Sequence, residues 1–522
     1  MEGMSATDQM TVHELLDRLR EQATSEADKG RRFERLMAAF FRADPTFAAQ
    51  FSRVWVWSDW PGRAGRPDTG IDLVAEDAQT GELVAIQCKF YGANTRVSKK
   101  DVDSFISASG TRDFARRIIV DTSASWGGNA EHALRQQDKP IRRLSLEDLE
   151  YSSVDWTQFS WSAPEQLVIS PKKQPRKHQR EAIDAVTAQF AEHERGKLIM
   201  ACGTGKTFTS LKLAEEYVGA GGSVLFLVPS ISLLSQTIRE WADNSELSLD
   251  MMAVCSDPKS TQKTTGGDSA DISVVDLALP ATTDIPELRK RWERAVGNTG
   301  SMTVVFSTYQ SIEVVAQAQR EGGLGEFDLI ICDEAHRTTG AKLAGMDSAF
   351  MRVHDAQFIR GAKRLYMTAT PRIFGEEAKT RAKEQRDDLT IASMDDVETY
   401  GPEFFRLGFG EAVERKLLTD YRVVILSVDE AYVTRNFQQE LSEDGETQLG
   451  DAARMVGCWN GLAKRFDRVS GESMAPMRRA VAFAQDIKTS KAIAQSFPSI
   501  VRQHVAQQGL ENATAGVSAP PP

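Results

Sequence analysis

The sequence predicts an α/β protein with two successive sheet-containing regions followed by a third, shorter unit. Three observations favour this class: the chain length, the alternation of short apolar runs with helical segments, and one proline-rich stretch between them. The chain has 522 residues, and since a domain typically holds ~100 to 200 residues, three or four compact units are expected. Hydrophobic residues make up 41% and charged residues 26% of the chain, which is typical of a globular protein and argues against general disorder.

The first region, residues 1–160, is predicted to be a compact α/β unit. Helices are indicated around residues 12–19 and 30–41, where apolar residues recur on one face. Two β-favouring runs, residues 70–76 and 83–90, flank a segment with turn chemistry and therefore predict a hairpin. Helix and strand then alternate to the end of the region, as in other α/β units.

A linker is predicted over residues 161–175, which contain three prolines and two lysines. Short apolar strands separated by helical segments then indicate a doubly wound parallel sheet over residues 176–411. Within it, residues 256–300 are rich in Thr, Asp, Gly and Pro and predict an insertion or a mobile loop. A second unit is expected over residues 412–522. Further strands are predicted at residues 197–201, 223–228, 302–307, 328–332, 364–367, 421–428 and 479–483.

Charge and cysteine usage exclude several classes of protein. No apolar run approaches the ~18 residues that a membrane-spanning helix needs, and the N-terminus lacks a secretory layout, so we expect a cytoplasmic protein with no membrane partner. The five cysteines are widely spaced and predict free thiols. The net charge of -11 gives no bulk attraction to nucleic acid, so any DNA binding must use local basic surface.

The most specific motif is an apolar strand that runs into a glycine-rich loop and the start of a helix. Gly203 and Gly205 allow backbone N–H groups to face a phosphate, and Lys206 can neutralise the outer phosphates. The Thr207 hydroxyl can ligate Mg²⁺. The first glycine of the usual pattern is replaced by Met200, and an ordinary glycine turn is the alternative. The predicted ATP-binding residues of this loop are Gly203, Thr204, Gly205, Lys206 and Thr207.

A second motif follows the apolar strand at residues 328–332. It places two carboxylates, Asp333 and Glu334, at the C-terminal end of the strand, where ligand chemistry usually occurs in such sheets. Asp333 would hold Mg²⁺ through water, and Glu334 would polarise the attacking water. A solvated acidic strand end is the alternative for this motif alone, but its order after the glycine-rich loop favours an ATP site.

Residues 333–336, Asp-Glu-Ala-His, resemble the box that names one group of superfamily 2 helicases and translocases, which contain two RecA-like lobes. The resemblance implies that Gln179 reads adenine, with Arg176 at the same nucleotide site. Residues 228–230 and 307–310 resemble the nucleic-acid contact motifs of that family, although plain strand-end loops are the alternative. The segment that resembles the motif coupling hydrolysis to strand movement is Thr368, Ala369 and Thr370.

The first region contains a different constellation. Asp72 lies on one strand of the predicted hairpin, and Gln87 and Lys89 project together from the neighbouring strand because side chains two apart point the same way. Phosphodiester hydrolysis needs oxygen ligands for a hard Mg²⁺ and a cation near the developing charge. Asp72 and Gln87 are the candidate metal ligands, Lys89 is the candidate cation, and Glu34 is a further candidate catalytic carboxylate.

These residues resemble the PD-(D/E)xK nuclease fold, and the spacing from Gly30 and Glu34 to Gln87 and Lys89 is similar to the Mrr-type restriction endonuclease branch. Gln87 stands where the broader fold has a second carboxylate, which leaves a less negative metal site. A surface hairpin with one buried polar pair is the alternative. The resemblance implies a restriction-endonuclease-like domain ahead of the RecA-like sheet.

Taken together, the chain resembles the N-terminal half of single-chain ATP-dependent restriction enzymes of the type ISP kind. That resemblance implies an ATP-dependent translocase on double-stranded DNA, coupled to Mg²⁺-dependent cleavage of foreign DNA. A DNA-repair helicase-nuclease and a catalytically incompetent DNA-binding remnant are the alternatives. We expect a truncated chain, since the second RecA-like lobe lacks its arginine-rich motif, so Mg·ATP would bind and turn over feebly. A methyltransferase or specificity partner, or a missing C-terminal region, is also implied.

Overall fold

The computed structural model of the chain divides into two compact units, residues 1–262 with 269–418 and residues 263–268 with 419–522. Both units are described below only where the placement of the residues is defined. The structure describes residues 11–507 except 68–69, 93–94, 124, 136, 138, 161–162, 257–276, 278, 344–348, 377–388, 422–448, 464–476, 478–479 and 485–486.

The first half of the larger unit is built on a five-stranded sheet in the order β1-β2-β3-β5-β7. Strands β1 to β3 are antiparallel neighbours, and β5 and β7 continue in parallel from β3. The predicted hairpin is confirmed, with Leu73 opposite Ile86. The strands of this domain are β1 (Phe51–Val56), β2 (Leu73–Asp77), β3 (Leu83–Lys89), β4 (Arg96–Val97), β5 (Phe114–Asp121), β6 (Ser125–Trp126) and β7 (Ile141–Leu144).

Helices cover both faces of this sheet, so it has two cores. One face packs against the first two helices, through Phe33, Leu36 and Phe40, and the other packs against later helices through Val102 and Phe105. The first helix begins at a capping box in which Thr11 and Glu14 bond each other's backbone N–H. The helices are α1 (Val12–Gln22), α2 (Glu26–Ala43), α3 (Pro45–Ala48), α4 (Lys99–Ala108), α5 (Gly128–Arg135) and α6 (Leu146–Glu150).

The second half of the unit is the predicted doubly wound sheet. Its seven strands are all parallel, in the order β10-β11-β9-β12-β14-β8-β16. The central strands are apolar along their length because helices bury both faces of the sheet. The strands of this half are β8 (Arg195–Met200), β9 (Ser223–Val228), β10 (Ser248–Val254), β11 (Ser301–Thr308), β12 (Phe327–Cys332), β13 (Gly340–Leu343), β14 (Gly361–Thr368), β15 (Leu389–Ala392) and β16 (Glu403–Leu407). Of these, β13 and β15 form a separate two-stranded antiparallel sheet.

Two findings in this lobe differ from the sequence expectations. Residues 285–296 lie within the predicted insertion but form a helix that buries Leu288 and Trp292. The last helix of the lobe places Ala412 in its core, so the larger unit extends to Leu418 and includes residues assigned above to the next one. The helices are α7 (Lys177–Gln189), α8 (Lys206–Tyr217), α9 (Ile231–Asn244), α10 (Ile285–Val296), α11 (Ile312–Arg320), α12 (Val397–Tyr400) and α13 (Phe409–Glu414).

The described part of the smaller unit consists of two helices, α14 (Leu449–Leu462) and α15 (Ile487–Gln507), that pack through Trp459, Val501 and Val505. The strand predicted at residues 421–428 lies almost wholly outside the described residues. The strand predicted at residues 479–483 is wrong over its described part, because residues 480–483 have no strand pairing and Val481 and Phe483 are exposed. Within the described chain, no helix is both long and apolar enough to cross a bilayer.

Candidate functional site

Three predicted ATP-site motifs follow three neighbouring strands of the parallel sheet. The glycine-rich loop follows β8, the Thr368 segment follows β14, and the acidic box follows β12, in the spatial order β12-β14-β8. Because parallel strands end at the same edge of a sheet, the motifs meet there although up to 170 residues separate them in sequence. The fold therefore assembles one site from distant segments.

The glycine-rich loop is held open by two glycines in the left-handed conformation. Gly203 has φ of 82° and Gly205 has φ of 86°, and a Cβ at Gly205 would collide with the Gln179 side-chain nitrogen. Gln179 donates to the Thr204 carbonyl at 3.1 Å and accepts from the Arg176 N–H at 2.8 Å. In this structure Gln179 therefore braces the phosphate loop, and its predicted contact with adenine stays a prediction.

Helix α8 begins directly after this loop. Lys206 is its first residue, and its ammonium group donates to the Met200 carbonyl at 3.3 Å, across the mouth of the loop. Thr207 follows in the first turn, where the unpaired N–H groups and the helix dipole favour an anion. The loop, the lysine and the helix start thus form a cradle suited to the phosphates of a nucleotide.

The acidic box has two carboxylates in different environments. Asp333 is 5% exposed, and burial, followed by repulsion from Glu334, raises its pKa to about 6. A hydrogen bond from His336, opposed by burial, lowers the pKa of Glu334, and the Lys206 charge acts in the same direction. Glu334 adopts a left-handed backbone with φ of 47°, a strained conformation for a side-chain-bearing residue. The buried Asp333 and the neighbouring Lys206 charge fit a Mg²⁺-nucleotide site.

A chain of polar contacts links the acidic box to the predicted coupling motif. His336 Nδ1 lies 3.2 Å from Glu334 Oε2 and 3.0 Å from Thr368 Oγ1. Thr368 Oγ1 in turn accepts from the Thr370 N–H at 3.2 Å. These contacts connect the Thr368 segment to Glu334, the predicted catalytic carboxylate.

Sequence reasoning missed the role of Tyr309. This residue lies in a predicted nucleic-acid contact motif, yet its ring is fully buried and its hydroxyl donates to the Asp333 carbonyl at 2.9 Å. It therefore supports the acidic box from behind. Its neighbour Gln310 donates to the Pro229 carbonyl at 3.3 Å, which ties the two predicted contact motifs together. The sequence carried no signal for either contact.

The nuclease candidates converge at one end of the five-stranded sheet. Asp72 accepts the Cys88 N–H at 2.7 Å and lies one residue before the Leu73–Ile86 pair, so Gln87 is its neighbour across the hairpin. Leu73 and Ile86 belong to the core under α2. Since side chains alternate along strands, Asp72, Gln87 and Lys89 share the opposite face, as the sequence predicts.

The side chain of Gln87 is placed so that it could bind a metal ion. Its side chain is 3% exposed, and its amide nitrogen donates to the Gly70 carbonyl at 2.9 Å. Its buried Oε1 atom has no hydrogen-bond partner among the described residues, and such an oxygen is costly unless something binds it. No cluster of three or more His, Cys, Asp or Glu side chains suited to a metal occurs in the described chain. An amide-plus-carboxylate pair fits Mg²⁺, which keeps much of its water.

Glu34 reaches the same end of the sheet from the other face. It lies on α2, and the negative charges of Asp72 and Glu34 both oppose ionisation of Cys88, whose pKa is raised chiefly by burial. Lys89 acts on the same thiol in the opposite direction. All four groups are therefore near one another. The structure places Glu34 near the strand end, across the sheet from the face that Asp72 and Gln87 share.

A buried acid beside Lys89 was not singled out from the sequence. Asp121 ends β5, is opposite Lys89 in the parallel register, and is 1% exposed. It accepts from Trp126 Nε1 at 2.9 Å, and burial raises its pKa. Its position as the last residue of an apolar strand is a signal that could have identified it.

Two family models match the chain in succession. A restriction endonuclease family, of the Mrr type, matches residues 42–166, and the res subunit of type III restriction enzymes matches residues 172–373. The chain therefore contains a restriction endonuclease domain followed by a helicase-type domain of the res-subunit family. The predicted fold class and recognition are confirmed.

The chain is also similar to solved structures and to curated proteins. The chain is similar to the ATP-dependent type ISP restriction-modification enzyme LlaBIII bound to DNA, with 40% identity and a TM-score of 0.81 over 95% of this chain and 31% of that enzyme. A nuclease-deletion mutant of the type ISP enzyme LlaGI aligns with 67% of this chain and 23% of its own, at 37% identity and a TM-score of 0.45. A probable helicase of African swine fever virus is 28% identical over 48% of this chain. The chain spans 24% of that viral protein's length.

Proposed function

We propose, from the premise that this chain joins a restriction endonuclease domain to a type III res-subunit helicase domain, that it is an ATP-dependent DNA translocase coupled to Mg²⁺-dependent endonucleolytic cleavage. Its biological role would be restriction of foreign double-stranded DNA. One observation carries the proposal. Two chemically distinct sites, each suited to phosphate chemistry, lie in one compact unit, at the end of the β12-β14-β8 strands and at the end of the β2–β3 hairpin.

In the helicase-type domain, the phosphate loop binds and orients the nucleotide. The backbone N–H groups around Gly203 and Gly205 face the phosphates, and Lys206 offsets negative charge that develops during transfer. Thr207, and Asp333 through water, would hold Mg²⁺, which would neutralise charge on the phosphate oxygens. Glu334, whose pKa is lowered chiefly by the hydrogen bond with His336, orients and polarises the attacking water.

In the endonuclease domain, Asp72 and the free carbonyl oxygen of Gln87 are the metal ligands. These two residues would hold Mg²⁺, which would supply Lewis-acid chemistry to the water and phosphate at this site. Lys89 projects from the same face and stabilises charge on the cleaved phosphate. Glu34 acts from the other side of the strand end as a further carboxylate. The missing second acidic ligand leaves this site less negative, so its Mg²⁺ affinity should be modest.

The test is cleavage of supercoiled plasmid with Mg²⁺, in the presence and absence of ATP. Protein that includes a complete second RecA-like lobe should open the plasmid faster with ATP than without it. Lys206→Ala should lose the ATP dependence, whereas Lys290→Ala, a control at an exposed residue that belongs to neither site, should keep it. Cleavage that needs no metal, or that proceeds identically in the Asp72→Ala variant, would contradict the proposal.

Partners beyond DNA are part of the same proposal. DNA recognition and modification in a restriction enzyme require a methyltransferase and a specificity region, supplied by further residues of the protein or by a second chain. ATP dependence and DNA as substrate are consistent with action in the cytoplasm.

A further inference from the structure

Helix α9 of the helicase-type domain contacts both the predicted DNA motifs and the endonuclease domain. Its N-cap is Ser230, whose hydroxyl accepts from the Leu233 N–H at 3.3 Å and which ends the contact motif at residues 228–230. Its C-terminal half carries Arg239 and Asp243, one turn apart. With a rise of ~1.5 Å per residue, the two functional ends are only about 14 Å apart along a rigid helix.

The inner face of α9 is packed tightly on the strands that lead to both DNA motifs. The Trp241 ring contacts Phe226 of β9 and Phe306 of β11, with ring centroids 5.3 and 5.5 Å apart and edge-to-face geometry. β9 ends at the 228–230 motif and β11 at the 307–310 motif. A movement of either motif is therefore transmitted to α9 through a close-packed core.

The outer face of α9 is tied to the endonuclease domain by a buried ionic cluster. Arg239 pairs with Asp148 of α6, and their side chains are 21% and 13% exposed. Asp44, the C-cap of α2, and Asp243 carry charges that act on Arg239, and burial opposes its ionisation. Helix α3 of the endonuclease domain also packs on α9. Asp44, Asp148 and Asp243 line the same small cavity as Arg239 and Arg142. If the Arg239 charge were removed, Arg142 would remain as the neighbouring cation of these three side chains.

The segment predicted to be a linker is also fixed to this helix. Lys173 bonds Glu240 at 2.9 Å, its backbone N–H donates to Asn244 Oδ1 at 3.1 Å, and Lys172 donates to the Ser245 carbonyl at 2.6 Å. The endonuclease domain and its connection thus meet the helicase-type domain at the same half of α9.

We infer that α9 couples DNA and nucleotide binding in the helicase-type domain to the endonuclease domain, with Arg239 as the positioning residue that transmits the change through Asp148. This inference rests on the proposed function. The inference goes beyond the proposed function because it assigns the coupling to one helix, α9, and to one ion pair, Arg239 with Asp148. Asp148 also caps α6 through Ser145, so the substitution should be made at Arg239.

The test is hydrogen–deuterium exchange of the full chain, with and without a 30-base-pair duplex plus a non-hydrolysable ATP analogue. In wild-type protein, residues 201–207 and 229–235 should be protected, and residues 141–150 of the endonuclease domain should change exchange rate by at least about fivefold. Arg239→Met should abolish the change at residues 141–150 but keep the protection of the two helicase-domain segments. Arg239→Lys, which keeps the charge, should restore most of it.

The matched control removes a second ion pair between the same two domains, which is more exposed than the pair of Arg239 with Asp148. Lys290 of α10 and Glu82 of the β2–β3 turn are 3.5 Å apart with side chains 45% and 38% exposed, so Lys290→Met should leave the response intact. Should Arg239→Met fail to fold, Arg239→Gln replaces it.

Three results would overturn the inference. If wild-type residues 201–207 and 229–235 are protected but residues 141–150 are unchanged, the coupling path is refuted and the proposed function stands. A folded Arg239→Met variant that still responds removes Arg239 from the path. No response in either helicase-domain segment contradicts the proposed function itself, and the inference with it.

Discussion

The helicase-type domain builds its phosphate loop from consecutive residues after one parallel strand, whereas the endonuclease domain assembles its metal site across an antiparallel hairpin. In the first, backbone N–H groups and one lysine do most of the binding, so a local motif contains most of the chemistry. In the second, Asp72 and Gln87 are adjacent only through strand register, and Glu34 comes from a separate helix. The comparison teaches that a backbone-built phosphate site can be recognised locally, while a side-chain-built metal site depends on tertiary structure.

The largest effect should come from the lysine of the phosphate loop. Lys206→Ala removes a charge at the transferring phosphate, and a loss of ~3 kcal/mol or more of transition-state stabilisation corresponds to at least about a hundredfold in rate. Phosphate release in the presence of DNA measures it. Equal turnover in this variant and in Lys290→Ala would show that the two regions do not divide the chemistry as described.

The next largest effect should be a change in the Mg²⁺ requirement of the endonuclease site. Gln87→Glu adds a carboxylate to a site that has one, so the Mg²⁺ concentration for half-maximal cleavage should fall about tenfold. The buried charge should also lower the melting temperature without metal, and Mg²⁺ should restore it. An unchanged Mg²⁺ requirement would mean that Gln87 Oε1 does not face the metal.

Within the helicase-type domain, the polar chain from Glu334 to Thr368 should affect coupling more than catalysis. Thr368→Val keeps the shape but removes the hydroxyl that lies 3.0 Å from His336. The ratio of phosphate release with DNA to that without DNA should drop about fivefold, with the basal rate little changed. A ratio equal to that of the wild type would show that the polar contacts from Glu334 to Thr368 do not couple DNA binding to hydrolysis.

The smallest effect should be a pH-dependent change in the free energy of unfolding, caused by Asp243 at the boundary between the two domains. Burial, followed by the Asp44 charge, raises the Asp243 pKa from 3.8 to about 7, against the lowering effect of Arg239. Between these values the folded chain holds a proton that the unfolded chain has released, so stability is highest at low pH and falls as pH rises toward 7. The loss should be below about 1.4 kcal/mol per pH unit, because the site is only partly enclosed. Melting curves of wild type and Asp243→Asn across this window should show a weaker pH dependence in the variant.

Much of the fold followed from local pattern. β9 lies at the predicted residues, 223–228, because it is a short apolar run with turn residues before it and after it. The edge strands β10 and β16 were not predicted, since charged residues such as Asp250 and Arg406 interrupt their apolar pattern. Helix α10 was hidden in a segment of turn-rich composition. Contacts such as Tyr309 with Asp333 depend on strand order, which periodicity does not encode.

The central claim is that one chain carries two independent sites, and the Asp72→Ala variant tests it most directly. Plasmid cleavage and fluorescent-nucleotide binding would be measured on the same preparation. We expect cleavage to be lost and Mg·ATP to bind as in wild type, because the ligands of the two sites belong to different sheets. Loss of both activities in a variant shown to be folded would contradict the claim, as would cleavage at the wild-type rate.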